Sequence, residues 1–164
     1  GFTQRRSAWP HVVVLRTLSK FVALAGARCG ALLGAPELIE FLGNVLPPYT
    51  FPTPTIDHVL AAFTDDALQV FTERVQLIKR ERRRLTETMS DSIQVKQVFS
   101  SDANFILLET RDAAEFSRQA RRAGILVRQF PGQEELRNCV RITVGRPADN
   151  DRLIRAISGV GERG

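Results

Sequence analysis

Residues 16–30 read RTLSKFVALAGARCG and directly follow a β-branched run at residues 12–15. That run predicts a buried strand ending near Thr17, because short continuous apolar runs are typical of strands covered on both faces. Lys20 then falls just beyond a strand end, where open α/β sheets usually place their chemistry. With Ser19 and Arg28 nearby, the segment offers an amine, a hydroxyl and a guanidinium. These groups suit a ligand that carries both a carbonyl and a phosphate, as pyridoxal phosphate does.

The whole string is more specific than its separate charges, which alone would be read as ordinary surface residues. The order TLSK, an apolar stretch, AG and then RCG closely resembles the lysine segment of histidinol-phosphate aminotransferases, which are fold-type I enzymes dependent on pyridoxal 5'-phosphate. The resemblance continues through NFILL at residues 104–108, GILVR at residues 124–128 and VRITVG at residues 140–145. It implies an α/β fold in which the chain is the C-terminal part of such an enzyme.

The resemblance also implies a role for each matching residue. Lys20 matches the lysine that holds the cofactor and moves the proton, and Ser19 and Arg28 match residues that contact the cofactor phosphate. Arg141 matches the arginine that pairs with the substrate α-carboxylate, a task suited to a bidentate guanidinium. Arg128 matches an arginine that contacts the substrate phosphate. Without the motif order, both of these arginines would be read as strand-edge charges.

A proline-rich connection at residues 46–54 contains Tyr49. Its prolines exclude regular helix or central strand, so an extended segment is expected. In the resembled family an equivalent segment lies near the active site and the dimer interface. Tyr49 is therefore a possible site neighbour, and a packed structural tyrosine is the equal alternative. The sequence suggests no metal site.

The implied reaction is reversible amino-group exchange between histidinol phosphate and 2-oxoglutarate, with glutamate as the other amino acid, in histidine biosynthesis. Two sister activities remain open, those of a threonine-phosphate decarboxylase and of an aromatic aminotransferase. A hypothesis from another class is a non-catalytic, truncated interaction module. Retention of the matching lysine, serine and arginines argues against that module, since a chain without chemistry could lose them freely.

One requirement of the family is missing from the chain. In the family, the acid that meets the pyridine nitrogen comes from sequence before the lysine strand. The nineteen residues before Lys20 include no Asp, Glu, Tyr or Asn. The sequence is thus expected to be a C-terminal portion, and on its own a poor catalyst or none.

Composition limits the possible partners. The chain of 164 residues has a net charge of +5, much of it from KRERRR at residues 79–84. A nucleic-acid partner is the alternative to a solvated helix face, and the helical pattern without interleaved aromatics favours the face. No apolar run is long enough to span a membrane. Two cysteines indicate a reducing compartment. A cytoplasmic protein is expected, with organellar targeting as the open alternative, and the family implies a homodimer.

Sequence periodicity predicts one long helix, and the resemblance implies that this helix links the end of a large cofactor domain, residues 1–73, to a small α+β domain, residues 74–164. Strands are expected at residues 11–16, 30–34, 95–99, 104–108, 125–129 and 140–144. Helices are expected at residues 36–45, 55–63, 65–89, 113–123 and 147–158.

Overall fold

The chain divides into two compact units, Gly1–Glu73 and Arg74–Gly164. A computed structural model of the protein describes residues 8–158. One helix of 26 residues, Asp65–Ser90, begins in the first unit and ends in the second. Thr64 begins this helix by accepting a hydrogen bond from Ala67 N–H (3.4 Å), as an N-cap residue does.

The first unit contains a two-stranded antiparallel ribbon followed by helices. The elements are β1 (Val14–Thr17), β2 (Gly30–Leu33), α1 (Pro36–Gly43), α2 (Thr53–Ala61) and the start of α3 (Asp65–Ser90). In the ribbon, Leu15 lies opposite Leu32 and Thr17 lies opposite Gly30. The segment between the two strands, which carries Lys20, is therefore the connection of a β-hairpin.

The expected burial of these two strands is wrong. Leu15 is 71% exposed and Leu32 is 42% exposed. Within residues 8–73, only Val22 and Ala62 are buried. In the described part of the chain β1 and β2 pair only with each other, and no layer of the described residues buries their side chains as the layers on both faces of a central strand would.

Two boundaries in this unit also differ from expectation. β1 begins at Val14 because the preceding residues turn, with Val12 N–H donating to the Trp9 carbonyl at 3.0 Å. α2 begins at Thr53, two residues early, with Pro54 in its first turn. Proline is tolerated there because the first amides of a helix have no intrahelical partner.

The second unit is an antiparallel three-stranded sheet with helices packed on one face. Its elements are the rest of α3, then β3 (Val95–Phe99), β4 (Phe105–Thr110), α4 (Ala113–Arg122), β5 (Cys139–Thr143) and α5 (Pro147–Ile157). The strand order is β3-β4-β5. This agrees with the expected small α+β architecture.

The core of the second unit lies between the sheet and its helices. Alternate residues of β4 and β5, among them Ile106 and Ile142, point into it. Leu85 and Met89 of α3 pack against the same cluster, which also includes Phe116. Residues between the buried ones on each strand, including Arg141, therefore lie on the opposite face of the sheet.

The strand expected at residues 125–129 is wrong. Gly124 adopts a left-handed φ of 73°, and Ile125 N–H donates back to the Ala120 carbonyl at 2.9 Å, which ends α4. Leu126 is then 79% exposed. Only Arg128 pairs with the sheet, through a single antiparallel bridge to Arg141.

A polar network joins α3 to α5 inside this unit. The buried Glu81 carboxylate accepts hydrogen bonds from Arg84 Nη2 (2.6 Å) and from Asn150 Nδ2 (2.7 Å). Arg84 Nη1 also donates to Asp151 at 2.7 Å. Arg84 holds the pKa of the Glu81 carboxyl below its usual range, with Asn150 acting in the same direction and burial opposing both.

Among residues 8–158, no helix combines the length and apolar character needed to cross a membrane.

Candidate active-site elements

The lysine-bearing connection between β1 and β2 is closed by backbone hydrogen bonds. Leu18 N–H donates to the Cys29 carbonyl at 3.1 Å, one position beyond the last pair of the ribbon. Leu24 N–H donates to the Leu18 carbonyl, also at 3.1 Å. We call residues 18–29 the lysine loop. These hydrogen bonds make it a closed, compact loop.

Lys20 stands exposed on this loop, three positions after the end of β1. Its neighbours anchor the backbone on either side, since Val22 is buried and the ring centre of Phe21 lies 6.2 Å from that of Phe71. Within residues 8–158, the Lys20 amine has no hydrogen bond or ion pair. The backbone at Lys20 is thus fixed by its neighbours, while its amine has no partner among the described residues.

Two hydroxyl side chains, those of Thr17 and Ser19, precede Lys20 in the sequence. Thr17 Oγ1 donates to Ser19 Oγ at 2.8 Å, and Ser19 N–H donates to Thr17 Oγ1 at 3.1 Å. The Thr17 side chain therefore holds Ser19 in a local turn at the end of β1. The Ser19 hydroxyl keeps its own proton available for a further acceptor.

Arg28 closes the other end of the loop in a left-handed conformation, with φ of 50°. Its Nη1 donates to the Ala25 carbonyl at 3.1 Å, which leaves the other guanidinium N–H groups available. The side chain is exposed. Amine, hydroxyl and guanidinium are thus presented by one closed loop, and this donor set fits a group carrying an aldehyde and a phosphate.

A hollow of about 520 Å³ lies on this unit beside the loop. Lys20 and Arg28 are not among its lining residues, which are Ala23, Leu24, Gly26, Ala27, Pro54, Thr55 and His58. No Lys or Arg side chain of residues 8–158 lines this hollow.

Tyr49 is 99% exposed and has a left-handed φ of 57°. No described residue covers its side chain, and a packed structural tyrosine stays the alternative prediction. Its place near the active site stays a prediction.

In the second unit, the structure brings Arg128 and Arg141 together. Arg128 N–H donates to the Arg141 carbonyl at 3.0 Å, and Arg141 N–H donates to the Arg128 carbonyl at 2.9 Å. Residues that exchange both bonds lie directly opposite each other and project from the same face of the sheet. The two guanidiniums therefore belong to one surface, on the side away from the core.

Neither guanidinium has a carboxylate partner within residues 8–158. Instead, Cζ of Arg141 lies over the ring of Phe105, 5.1 Å from its centre. Cζ of Arg128 lies over the ring of Phe130 at 5.7 Å. Sequence reasoning did not single out these two rings; the one signal for Phe105 was its place in the NFILL motif.

No group of three or more His, Cys, Asp or Glu side chains in the described residues is arranged to hold a metal ion.

Comparison with known proteins finds one family across nearly the whole chain. The family described as "Aminotransferase class I and II" matches residues 4–157. Histidinol-phosphate aminotransferase 1 of Pasteurella multocida (strain Pm70) is 38% identical over 149 residues, which are 91% of this chain. The chain spans 42% of the length of that relative.

Solved structures give the same fold. The crystal structure of the histidinol-phosphate aminotransferase from Clostridium acetobutylicum matches with a TM-score of 0.80 and 22% identity, covering 98% of this chain and 48% of that one. The enzyme of that name from Sinorhizobium meliloti, in complex with pyridoxal-5'-phosphate, matches at 0.69 and 28%, covering 92% and 41%. The L-threonine-O-3-phosphate decarboxylase from Porphyromonas gingivalis matches at 0.77 and 21%, covering 96% and 49%.

Proposed function

The chain belongs to the aminotransferase class I and II family, and we propose that it supplies the cofactor lysine and the substrate arginines of a histidinol-phosphate:2-oxoglutarate aminotransferase. The observation that carries the proposal is the unpaired Lys20 amine on a closed hairpin loop that also bears Ser19 and Arg28. The named relatives in the family support the choice of substrate.

Pyridoxal 5'-phosphate is the proposed cofactor. When bound, it supplies an aldehyde that accepts the amino group and a ring that stabilises negative charge at the substrate carbon. Lys20 would hold the aldehyde, and Ser19 and Arg28 would donate hydrogen bonds to the phosphate. Both donors are attached to the loop that carries Lys20, so one structural element would align the two ends of the cofactor.

Lys20 Nζ is also the group proposed to carry a proton to and from the substrate Cα. A lysine amine can act as general acid or base when it is positioned within hydrogen-bond reach of the reacting carbon. The buried Val22 side chain and the Phe21–Phe71 contact fix the backbone next to Lys20.

The substrates are proposed to bind through Arg141 and Arg128. Arg141 would pair with the α-carboxylate of glutamate, and Arg128 with the phosphate of histidinol phosphate. Two guanidiniums on one sheet face, without a carboxylate partner in the described residues, support an anionic ligand. Planar guanidinium forks match carboxylate and phosphate oxygens better than ammonium groups do.

We assign residues 1–73 to the large cofactor domain and residues 74–164 to the small domain, and propose a cytoplasmic homodimer. The exposed apolar residues of the first unit support association, among them Leu15, Phe41 and Leu60. A nucleic-acid partner is not proposed. Of the basic run, Arg84 is tied to Glu81 and Asp151, and Arg82 donates to the Ala103 carbonyl at 2.7 Å.

The sister activities remain as alternatives. The decarboxylase from Porphyromonas gingivalis shares the fold with a TM-score close to that of the Clostridium acetobutylicum aminotransferase. Its named substrate also carries a phosphate, which an arginine such as Arg128 could bind equally well. The non-catalytic module is the other alternative, and it predicts no reaction with any amino donor.

A substrate panel on the full-length protein tests the proposal. The protein is supplied with pyridoxal 5'-phosphate, and kcat/KM is compared for histidinol phosphate, phenylalanine and threonine phosphate, with carbon dioxide release measured in parallel. Preference for histidinol phosphate with 2-oxoglutarate as acceptor is the expected result. Equal or better use of phenylalanine, or carbon dioxide from threonine phosphate, would replace it with a sister activity.

A further inference from the structure

The two arginines that exchange backbone hydrogen bonds each lie over an aromatic ring. Arg141 Cζ is 5.1 Å from the ring centre of Phe105, and Arg128 Cζ is 5.7 Å from that of Phe130. Both distances are within the range at which a cation is attracted by the negative face of a ring. Each guanidinium therefore makes a cation–π contact, and no carboxylate of residues 8–158 forms an ion pair with it.

The register of the sheet explains the first contact. Leu107 lies opposite Arg141 and Phe105 lies opposite Thr143, so Phe105 is the diagonal neighbour of Arg141 on the face away from the core. Diagonal neighbours on one face are within reach of aromatic and long side chains. Phe105 is half-buried in this position, which limits the movement of its ring.

The second contact comes from the chain after the bridge. Phe130 follows Arg128 by two positions and is half-buried, while Arg128 itself is exposed. Phe130 also lines a hollow of about 360 Å³ formed by residues 129–134 and Arg137. The same ring thus lines the hollow and contacts the guanidinium.

Two carboxylates on these elements are already paired with other cations. Glu109, on the same strand and face as Phe105, is 3.3 Å from Lys96 Nζ. Glu134, on the loop that contains Phe130, is 2.7 Å from Arg137. Stacking occupies the flat face of a guanidinium and leaves its N–H edge free to donate, whereas an ion pair would occupy that edge.

We propose that Phe105 and Phe130 are positioning residues, which hold the forks of Arg141 and Arg128 open for the anionic groups of the substrates. The proposal rests on the proposed function, in which these two arginines bind a carboxylate and a phosphate. It adds that the orientation of each fork is set by an aromatic ring of this chain. Neither ring touches the substrate, so each acts through its arginine.

The test uses the full-length protein with its cofactor and two unreactive probes, succinate for the Arg141 fork and inorganic phosphate for the Arg128 fork. Phe105→Leu removes the ring, Phe105→Tyr retains it, and Phe99→Leu removes a half-buried ring from the neighbouring strand β3 as the matched control. We expect Phe105→Leu to weaken succinate binding about threefold to tenfold, as the loss of one cation–π contact would. Phe105→Tyr and Phe99→Leu should bind as the wild type does.

A replacement that keeps the shape of the ring distinguishes loss of the cation–π contact from a folding defect. Phe105→pentafluorophenylalanine retains the ring and reverses the sign of charge on its face, so it should weaken succinate binding as Phe105→Leu does. Phe130→Leu should weaken phosphate binding and leave succinate binding unchanged. The KM of glutamate should rise in Phe105→Leu while kcat changes little.

The arginines separate failure of this inference from failure of the proposed function. Suppose that Arg141→Lys weakens succinate binding, while Phe105→Leu and Phe105→pentafluorophenylalanine do not. The ring then does not position the fork and the inference is wrong, while the proposed substrate site stands. If Arg141→Lys and Arg128→Lys both bind the probes as the wild type does, the proposed substrate site is wrong and the inference fails with it.

Discussion

Arg128 and Arg141 exchange both of their backbone hydrogen bonds, at N···O distances of 3.0 and 2.9 Å. Such a pair places two Cα atoms about 5.5 Å apart with both side chains on one face. Like charges directly opposite each other destabilise a sheet. Within residues 8–158 no carboxylate offsets that repulsion for this pair. The arrangement is therefore one that an anionic ligand would stabilise.

The first prediction concerns this pair. Arg141→Lys and Arg128→Lys keep the charge but lose the bidentate fork, and a charge-assisted hydrogen bond contributes about 1.5–3 kcal/mol. In the full-length protein, Arg141→Lys should raise the KM of glutamate roughly tenfold to a hundredfold. Arg128→Lys should raise the KM of histidinol phosphate by a similar factor. Steady-state kinetics with each substrate varied separately measures both changes.

Arg121→Lys is the matched control, because Arg121 is exposed on α4 and its side chain pairs with no described residue. It should leave both KM values unchanged. If Arg128→Lys and Arg121→Lys behave alike, the assignment of the phosphate to Arg128 is wrong.

The second prediction concerns Lys20. Lys20→Arg retains the positive charge but cannot attach the cofactor aldehyde, and it removes the proposed proton carrier. We expect activity of the full-length protein to fall by roughly 10²–10⁴, the usual contribution of a positioned acid–base group. The visible absorbance of the bound cofactor should change at the same time.

Borohydride reduction followed by peptide mapping identifies the attached lysine directly. This sequence contains three lysines, Lys20, Lys79 and Lys96. We expect the label on Lys20 alone among them, and unchanged labelling in Lys79→Arg. A label on Lys79 or Lys96 would overturn the site.

Sequence patterns predicted the helices of the second unit and the three strands of its sheet, because their signals are local. The apolar stripe of α3 that includes Leu85 and Met89 repeats at helical spacing, and both side chains are buried in the core. Pro36 and Pro147 mark the first turns of α1 and α5 as expected. Such patterns depend only on neighbouring residues, so they survive without knowledge of the fold.

Features that depend on distant partners were not predictable in this way. Leu15 lies in an apolar run typical of a buried strand, but its side chain is exposed. Its burial depends on what covers the faces of the ribbon, which the run itself does not specify. Residues 125–129 have a strand-like composition, yet only Arg128 finds a pairing partner. The charge run at residues 79–84 gave no sign that Glu81 is buried against Asn150 of α5.

In the candidate site, too, local features were predictable and features that depend on distant residues were not. The motif order led to the lysine loop and to the two arginines, since each motif is a short local string. The rings of Phe105 and Phe130 under those arginines follow from strand register and loop path, which no short string specifies.

The third prediction concerns the close approach of β1 and β2. A Cβ added at Gly30 would lie 2.9 Å from the Arg16 carbonyl oxygen, too close without moving the backbone. Gly30→Ala should therefore push the strands apart at the base of the lysine loop and destabilise the protein by about 1–3 kcal/mol. In the full-length protein it should also weaken cofactor binding. Urea unfolding and cofactor titration measure the two effects.

Gly26→Ala is the control within the same loop. A Cβ at Gly26 meets no atom within 4 Å, and Gly26 is not among the described glycines with positive φ. It should leave cofactor binding unchanged and leave stability equal or slightly higher. Equal cofactor affinity in Gly30→Ala and Gly26→Ala would show that the approach of the strands does not shape the loop.

The fourth prediction concerns the pH dependence of stability. The Arg84 guanidinium and the Asn150 amide hold the pKa of the buried Glu81 carboxyl below its usual range. A carboxyl with a lowered pKa in the folded state contributes stability that is fully present above its unfolded pKa and is lost as the pH falls through its folded pKa. The contribution of Glu81 should thus be complete at neutral pH and be lost progressively as the pH falls below about 4.5, the ordinary pKa of this group.

Glu81→Gln removes this linkage, while the amide still fills the space between α3 and α5. At pH 7 it should lower the free energy of unfolding by about 1–3 kcal/mol, because Arg84 and Asn150 lose a charged acceptor. As the pH falls towards 3 the difference from the wild type should shrink, since the wild-type carboxyl becomes neutral as well. Glu87→Gln, at an exposed position of the same helix without a described partner, should stay within about 0.5 kcal/mol at every pH. Urea unfolding of the three proteins between pH 3 and 7 measures the gap, and a gap for Glu81→Gln that is constant across this range would show that its charge does not stabilise the contact between the helices.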